Sequence, residues 1–311
     1  MKLGLFGGVA GILVLAARLA GADDLQSVRF ASWPEYGKNA GIVFAQQAGL
    51  YSQGGMNTSF IDTFQNGLIL VEANEADIAQ VFCSAALDAI DKGLAARIIA
   101  VRDQRNPVAT ISTKKSAIVS PKDYAEKRWG HSAGFSPERT MLDKLMQENG
   151  SSIDAVELIN LDFPARLPAL LAGEVDFVSA WIGSGLPTVQ AAAKKAGADL
   201  DVIRWDDYGV KVYGECYVAS LDESGSLPAW TSKWLEATKS GHEKAMADPK
   251  LVGDMVLAQV PQVGDPDVFC TALEQGNRLL LSEGMQSSDL LSINRQKLLE
   301  TASWSGLKST E

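Results

Sequence analysis

Two short stretches hold most of the residues that could do chemistry: WPEYGKNAG at 33–41 and RWDDYGVKVYGECYVAS at 204–220. In the second, Asp206 and Asp207 could act as general acid and base, since close carboxylates split their pKa values. Neighbours on an extended chain point to opposite sides, however, so the pair reads as solvated or loop-capping acids. Glu215 stands where an apolar strand begins. A part-buried carboxylate there could accept hydrogen bonds from amino groups or ring N–H groups of a heterocycle, with tyrosines nearby to stack or donate; an exposed strand-end glutamate is the other reading. Trp33, Tyr36 and Asn39 fall in a loop after the first strand, where ligands of open α/β sheets bind. Trp181 ends VDFVSAW at the equivalent place in the second half. Rim or sheet-edge packing is the alternative for these.

Nucleophile and metal chemistry find little support. With three cysteines, two histidines and no C-x-x-C, the chain has almost no ligands for zinc or iron, so neither metal nor cofactor is expected. Buried unpaired cysteines are preferred, and one disulfide among Cys83, Cys216 and Cys270 stays open. Ser132-Ala133-Gly134-Phe135-Ser136 is not G-x-S-x-G, and His131 reads as a strand-end residue. That turn does offer backbone: small residues before a helix opened by Ser136-Pro137-Glu138 expose N–H groups to an anion or a carbonyl oxygen. Ser132, Gly134 and Ser136 are therefore candidates, as is Asn66 in the matching turn at 63–67; plainly capped helices are the alternative.

The elements that must position these residues alternate. Strands SVRFAS, MNTSFID, DIAQVF and ARIIAVRD are separated by helical segments, and RWGHSAG, AVELINL, VDFVSAW and DLDVIRW repeat the grammar. Such alternation predicts parallel βαβ units. YVAS returns as a strand, and the remainder is mainly helical. Glu75-Ala76-Asp77-Ile78 recurs as Glu174-Val175-Asp176-Phe177, each at a helix-to-strand junction, which predicts two similar lobes with the ligand between them.

A net charge of −10 without any basic run excludes nucleic acid as a partner. At the N-terminus Lys2, the apolar run Leu3 to Ala17 and Ala20-Gly21-Ala22 form a cleavable export signal over 1–22, with Arg18 its one blemish. The run is too short for a membrane span. A periplasmic or secreted product is expected.

The chain beyond the signal resembles the substrate-binding proteins of ABC importers in the nitrate/sulfonate/taurine and thiamine-pyrimidine-precursor group. VRFASWPEYGKNAGIVFAQQAGLYSQGGM, VEANEADIAQVFCSA, SPKDYAEKRWGHSAGFSPERTML and LPALLAGEVDFVSAW carry the likeness, and DDYGVKVYGE is most similar to the thiamine-precursor branch. The resemblance implies an α/β, type II periplasmic-binding-protein fold, two Rossmann-like lobes joined by a two-crossover hinge. Lobe I would comprise 23–115 and 214–311, lobe II 116–213. It implies a monomeric, non-enzymatic protein that closes on a small molecule and docks on an inner-membrane ABC permease. It also implies an aminopyrimidine stacked on Trp33 and Tyr213 and bonded by Glu215, with Tyr208 a lesser candidate. Asn39 replaces the branch's histidine, which leaves open a flavin, or a sulfonate, taurine or nitrate anion. Related iron-using pyrimidine synthases carry a cysteine-rich cluster that has no counterpart here, so an enzyme is the less favoured alternative.

Overall fold

The computed structural model describes residues 25–32, 37–63, 67–132, 136–260 and 264–307. The expected export signal over 1–22 and the candidates Trp33, Tyr36, Asn66 and Gly134 lie outside them. Ten strands form two five-stranded sheets. The first is ordered β2-β1-β3-β10-β4, from β1 (Gln26–Ser32), β2 (Met56–Asp62), β3 (Ile78–Phe82), β4 (Ala96–Val101) and β10 (Glu215–Ser220). The second is ordered β7-β6-β8-β5-β9, from β5 (Val108–Thr113), β6 (Arg128–His131), β7 (Glu157–Asn160), β8 (Phe177–Trp181) and β9 (Leu200–Arg204). In each sheet one strand arrives from the other lobe and runs antiparallel: β5 against β8 and β9, β10 against β3 and β4.

Strand β5 corrects the expected boundary at 115/116. VATIST was no strand in the sequence reading, yet it pairs in the second sheet, so the chain changes lobes between β4 and β5. The reason is chemical. Thr110 and Ser112 sit fully buried where an apolar residue would announce a strand. Thr110 Oγ1 satisfies two rings at once, accepting from Tyr124 Oη at 2.8 Å and Trp205 Nε1 at 2.9 Å.

The internal echo is a repeated ion pair. Asp77 accepts from the backbone N, Nε and Nη2 of Arg29 at 2.6, 3.1 and 2.8 Å. Asp176 takes the same three groups of Arg128 at 2.9, 3.0 and 3.0 Å. Each guanidinium also donates to the carbonyl of a left-handed residue ending the preceding helix, Asn74 in one lobe and Gly173 in the other. Bidentate geometry with a backbone anchor fixes where the strand starts.

Helices cover both faces. In lobe I, Phe30, Tyr51, Tyr217 and Trp234 pack as one aromatic group, with Trp234 centroids 5.3–5.8 Å from the other three. Helix α1 (Ala40–Gln47) crosses α8 (Thr231–Ala247) at Gly41 and Gly241, so closely that a Cβ on Gly241 would stand 2.2 Å from the Gly41 carbonyl oxygen. Next to that crossing lies His242, fully buried, its Nε2 2.9 Å from Tyr217 Oη. No described helix is long and apolar enough to cross a membrane.

Burial, and secondarily Arg102, holds the His242 imidazole well below its ordinary 6.5. The unfolded chain therefore takes up a proton that the folded chain refuses. Stability from this group is complete above about pH 6.5 and declines as pH falls below that value toward the folded pKa. Urea midpoints at pH 7.5 and 5.5 should differ more for the wild type than for His242→Gln.

Candidate functional site

The strand ends of the two lobes face one another across a cavity of about 10 Å³. Lobe I supplies Phe82, the last residue of β3, and Ser84 of α4 (Cys83–Asp91); lobe II supplies Trp181, the last residue of β8, and Met141 of α5 (Ser136–Glu148). The crossovers add Asn106 to Val108 and Val212 to Gly214. The C-terminal helix α11 (Arg295–Trp304) and the turn after it contribute Thr301 and Ser305.

Phe82 and Trp181 hold equivalent positions of the repeat, each the fifth residue after its clamped aspartate. Their ring centroids are 6.0 Å apart at 39°, and Phe163 adds a third ring 6.0 Å from Trp181. A cavity this small takes about one water, so the lobes stand close together.

Tyr213 lines the cavity, with part of its ring already occupied: Lys297 Nζ lies 5.0 Å from its centroid. Its Oη accepts from Asn294 N at 2.8 Å. Burial raises the phenol's pKa, with the Asn294 hydrogen bond opposing.

Glu215 is the largest departure from the sequence reading. Its Oε2 is 2.8 Å from Lys38 Nζ and accepts from Gln80 Nε2 at 2.5 Å. Lys38 Nζ also lies 3.0 Å from Asp103 Oδ2, and Arg102 clamps Asp103 while donating to the Lys38 carbonyl. Two buried cations thus balance two acids. Burial pushes the Asp103 carboxyl up, but Lys38 and Arg102 outweigh it and hold the pKa below the usual range. Asn39 is buried in the same network, donating to Ser32 Oγ at 3.1 Å and accepting from Gln80 at 3.0 Å.

Backbone bonds stitch the two crossovers together at this point. Arg102 N and Asp103 N donate to the Glu215 carbonyl, and Gly214 N donates to the Asp103 carbonyl. Sequence reading missed Lys38, Gln80, Arg102 and Asp103. The available signal was a charged pair following directly on an apolar strand in AVRD.

A model of the family described as NMT1/THI5 like matches residues 37–251. The chain belongs to the NMT1/THI5-like family. No curated protein sequence matches it. Among solved structures, this NMT1/THI5-like chain is similar to the alkanesulfonate-binding protein SsuA from Xanthomonas axonopodis pv. citri bound to MOPS, at 17% identity and TM-score 0.61 over 81% of this chain and 84% of that one. It is similar to the periplasmic aliphatic sulphonate binding protein SsuA from Escherichia coli, at 14% and 0.69 over 89% and 86%. The desulfurization enzyme DSZB is likewise similar, at 14% and 0.57 over 90% of each chain. At such identities the likeness shows the fold: α/β, of the type II periplasmic-binding kind.

The remaining candidates of this family member fall elsewhere. Asp206 is no solvated acid: it is buried and accepts from Arg105 Nε at 2.8 Å, tying one crossover to the other. Asp207 is more exposed, 3.6 Å from Arg105. Tyr208 lies on the surface, outside the cavity lining, its Oη donating to the Val119 carbonyl at 3.4 Å. Ser132 Oγ donates to the Leu161 carbonyl at 3.2 Å and accepts from Arg166 Nη2 at 3.1 Å. Ser136 opens α5. Arg166, buried and unforeseen, also donates to the Ser179 carbonyl at 3.2 Å and stands 3.6 Å from the buried Glu138, whose carboxyl pKa burial raises. Cys83 and Cys216 are buried free thiols, and Cys270 is exposed and free.

Proposed function

We propose that this chain is the exported solute-binding component of an ABC importer, capturing a small planar heterocycle of the thiamine-pyrimidine-precursor type between its lobes and delivering it to an inner-membrane permease. One observation carries the reading: Phe82 and Trp181 meet from opposite lobes across the cavity, with Tyr213 on its wall, an arrangement suited to gripping a flat ring. Polar groups on the wall favour a ligand with N–H donors. Ser305 Oγ gives its proton to the Thr301 carbonyl at 2.9 Å and keeps its lone pairs for an amino or ring N–H group; Thr301 Oγ1 gives its proton to the Lys297 carbonyl at 2.8 Å and accepts from Tyr213 N at 3.0 Å, which leaves it one lone pair.

In this reading lobe I runs to the end of β4 and resumes at β10, lobe II spans β5 to β9, and the monomer transports by closing on its ligand. Glu215 serves chiefly to join the crossovers. An alkylsulfonate or similar anion is the second reading, favoured by Arg166 beside Ser132 at the start of α5; Glu138, 3.6 Å from that guanidinium, counts against it by neutralising the charge.

A thermal-shift screen of the purified chain against aminopyrimidines, thiamine, riboflavin, taurine, alkylsulfonates and nitrate tests the assignment. A ligand at 100 times its Kd adds about 2.7 kcal/mol of stability. Stabilisation by a sulfonate and by no heterocycle overturns the heterocycle reading. Trp181→Ala should weaken the best heterocycle at least about tenfold, or 1.4 kcal/mol; unchanged affinity in calorimetry removes Trp181 from the site.

A further inference from the structure

The family match ends at residue 251, yet part of the cavity wall comes from beyond it, from α11 and the turn that follows. This helix touches both lobes. Its first half is rooted in lobe I and the crossovers: Leu298 packs with Cys83 and Cys216, and Lys297 donates to the Gln104 carbonyl and, at 3.3 Å, to Ser282 Oγ. Tyr213 grips it twice, taking Asn294 N on its Oη and giving its own backbone N–H to Thr301 Oγ1 at 3.0 Å. The far end is held by lobe II. Trp304 packs against the cluster of Trp129, Phe177 and Trp205, while Lys144 of α5 lies 5.7 Å from the Trp304 ring and donates to the Ser303 carbonyl.

The two attachments are unequal. The root consists of one buried and three part-buried hydrogen bonds and an apolar contact, whereas the tip consists chiefly of one half-buried indole and one lysine. Elsewhere the C-terminal segment meets lobe II through Leu279, whose carbonyl accepts from Gln104 at the crossover, through Gln275, which donates to Gln190 Oε1 at 3.3 Å and accepts from Gly183 N at 3.4 Å, through Asp265, 3.4 Å from Lys195 Nζ, and through the close approach of Gly183 to Gly276. Any motion that separates the lobes strains the tip of α11 before its root.

We infer that α11 is a clasp: Trp304 and Lys144 hold lobe II against lobe I in the closed arrangement, and this contact breaks when the cleft opens. The clasp rests on the contacts of α11 alone, and its bearing on ligand exchange rests on the function proposed above. Because the helix lies outside the family-matched segment, the resistance to opening is set separately from the strands that present Phe82 and Trp181.

Small-angle X-ray scattering of the full chain without added ligand tests this. Trp304→Ala should raise the radius of gyration above the about 19 Å expected of a compact chain of this length and lengthen the interatomic distance distribution. Trp304→Phe should restore wild-type scattering, and Lys144→Ala should shift it the same way as Trp304→Ala by a smaller amount. Scattering of folded Trp304→Ala indistinguishable from wild type overturns the clasp. Should circular dichroism show Trp304→Ala unfolded, Lys144→Ala decides, and an unchanged radius there overturns it equally. With no ligand in the experiment, failure of the clasp and failure of the transport reading are separate results.

Discussion

Replacing Lys38 by methionine is expected to lower the unfolding free energy by about 3–5 kcal/mol, the usual cost of breaking a buried ion pair from one side. Lys38 is almost inaccessible, and it is the ammonium shared by Asp103 and Glu215. Without it Arg102 alone faces two acids, one of them fully buried. Desolvation dominates the outcome: a methionine fills the volume but leaves a carboxylate uncompensated. Adding Asp103→Asn to Lys38→Met should recover a large part of the loss, because the second change removes a charge that the first stranded. Urea unfolding of the single and double variants measures both, and a single variant within about 1 kcal/mol of wild type would show that the network contributes little to folding.

Gly241→Ala is expected to cost about 3 kcal/mol, at the upper end for overpacking a well-filled interior. The new methyl would meet the Gly41 carbonyl oxygen at 2.2 Å and Ala45 Cβ at 2.9 Å, and the first obstacle is backbone that cannot rotate aside. Helices α1 and α8 would have to move apart, disturbing the packing around Trp234 and His242. Gly253, in α9 (Pro249–Gln259), is the internal control. A Cβ there has its nearest neighbours at 3.6 Å, and alanine gains about 0.8–1.0 kcal/mol of helix propensity, so Gly253→Ala should be neutral or stabilising. Equal melting temperatures for Gly241→Ala and Gly253→Ala would refute the argument from close approach.

Much of the fold could be read from the chain because its signals are local. Helix and strand alternate with clean periodicity, and the echo of EADI in EVDF marks an aspartate that clamps an arginine in each lobe. Strand β5 escaped because its buried Thr110 hydroxyl is satisfied by Tyr124 and Trp205, partners no window of sequence includes. The site was legible only in part. Trp181 and Tyr213 do reach the inter-lobe cavity, since strand ends and crossovers must lie there. Glu215 reads in the sequence as a part-buried acceptor for a ligand, and its pairing stays hidden because its partner Lys38 lies far up the chain, in a stretch whose aromatics point to stacking instead. Arg166 and the hydroxyls of Thr301 and Ser305 were invisible for the same reason: a helix sequence shows which face is apolar, and not which cavity it will border.

The paired arginine–aspartate clamps have a mechanical consequence. Each clamp anchors the start of a short strand, and the aromatic at that strand's other end is fixed relative to its own lobe by backbone alone. Phe82 and Trp181 therefore move as the tips of two stiff levers, and the spacing between them depends only on how far the lobes have swung. At 6.0 Å and tilted, the rings stand just short of the about 7 Å that a third ring needs at van der Waals contact with both. Under the proposed function the hinge angle works as a caliper: a ligand between the tips has its thickness converted into a rotation of one whole lobe, a quantity that the proposed permease can feel.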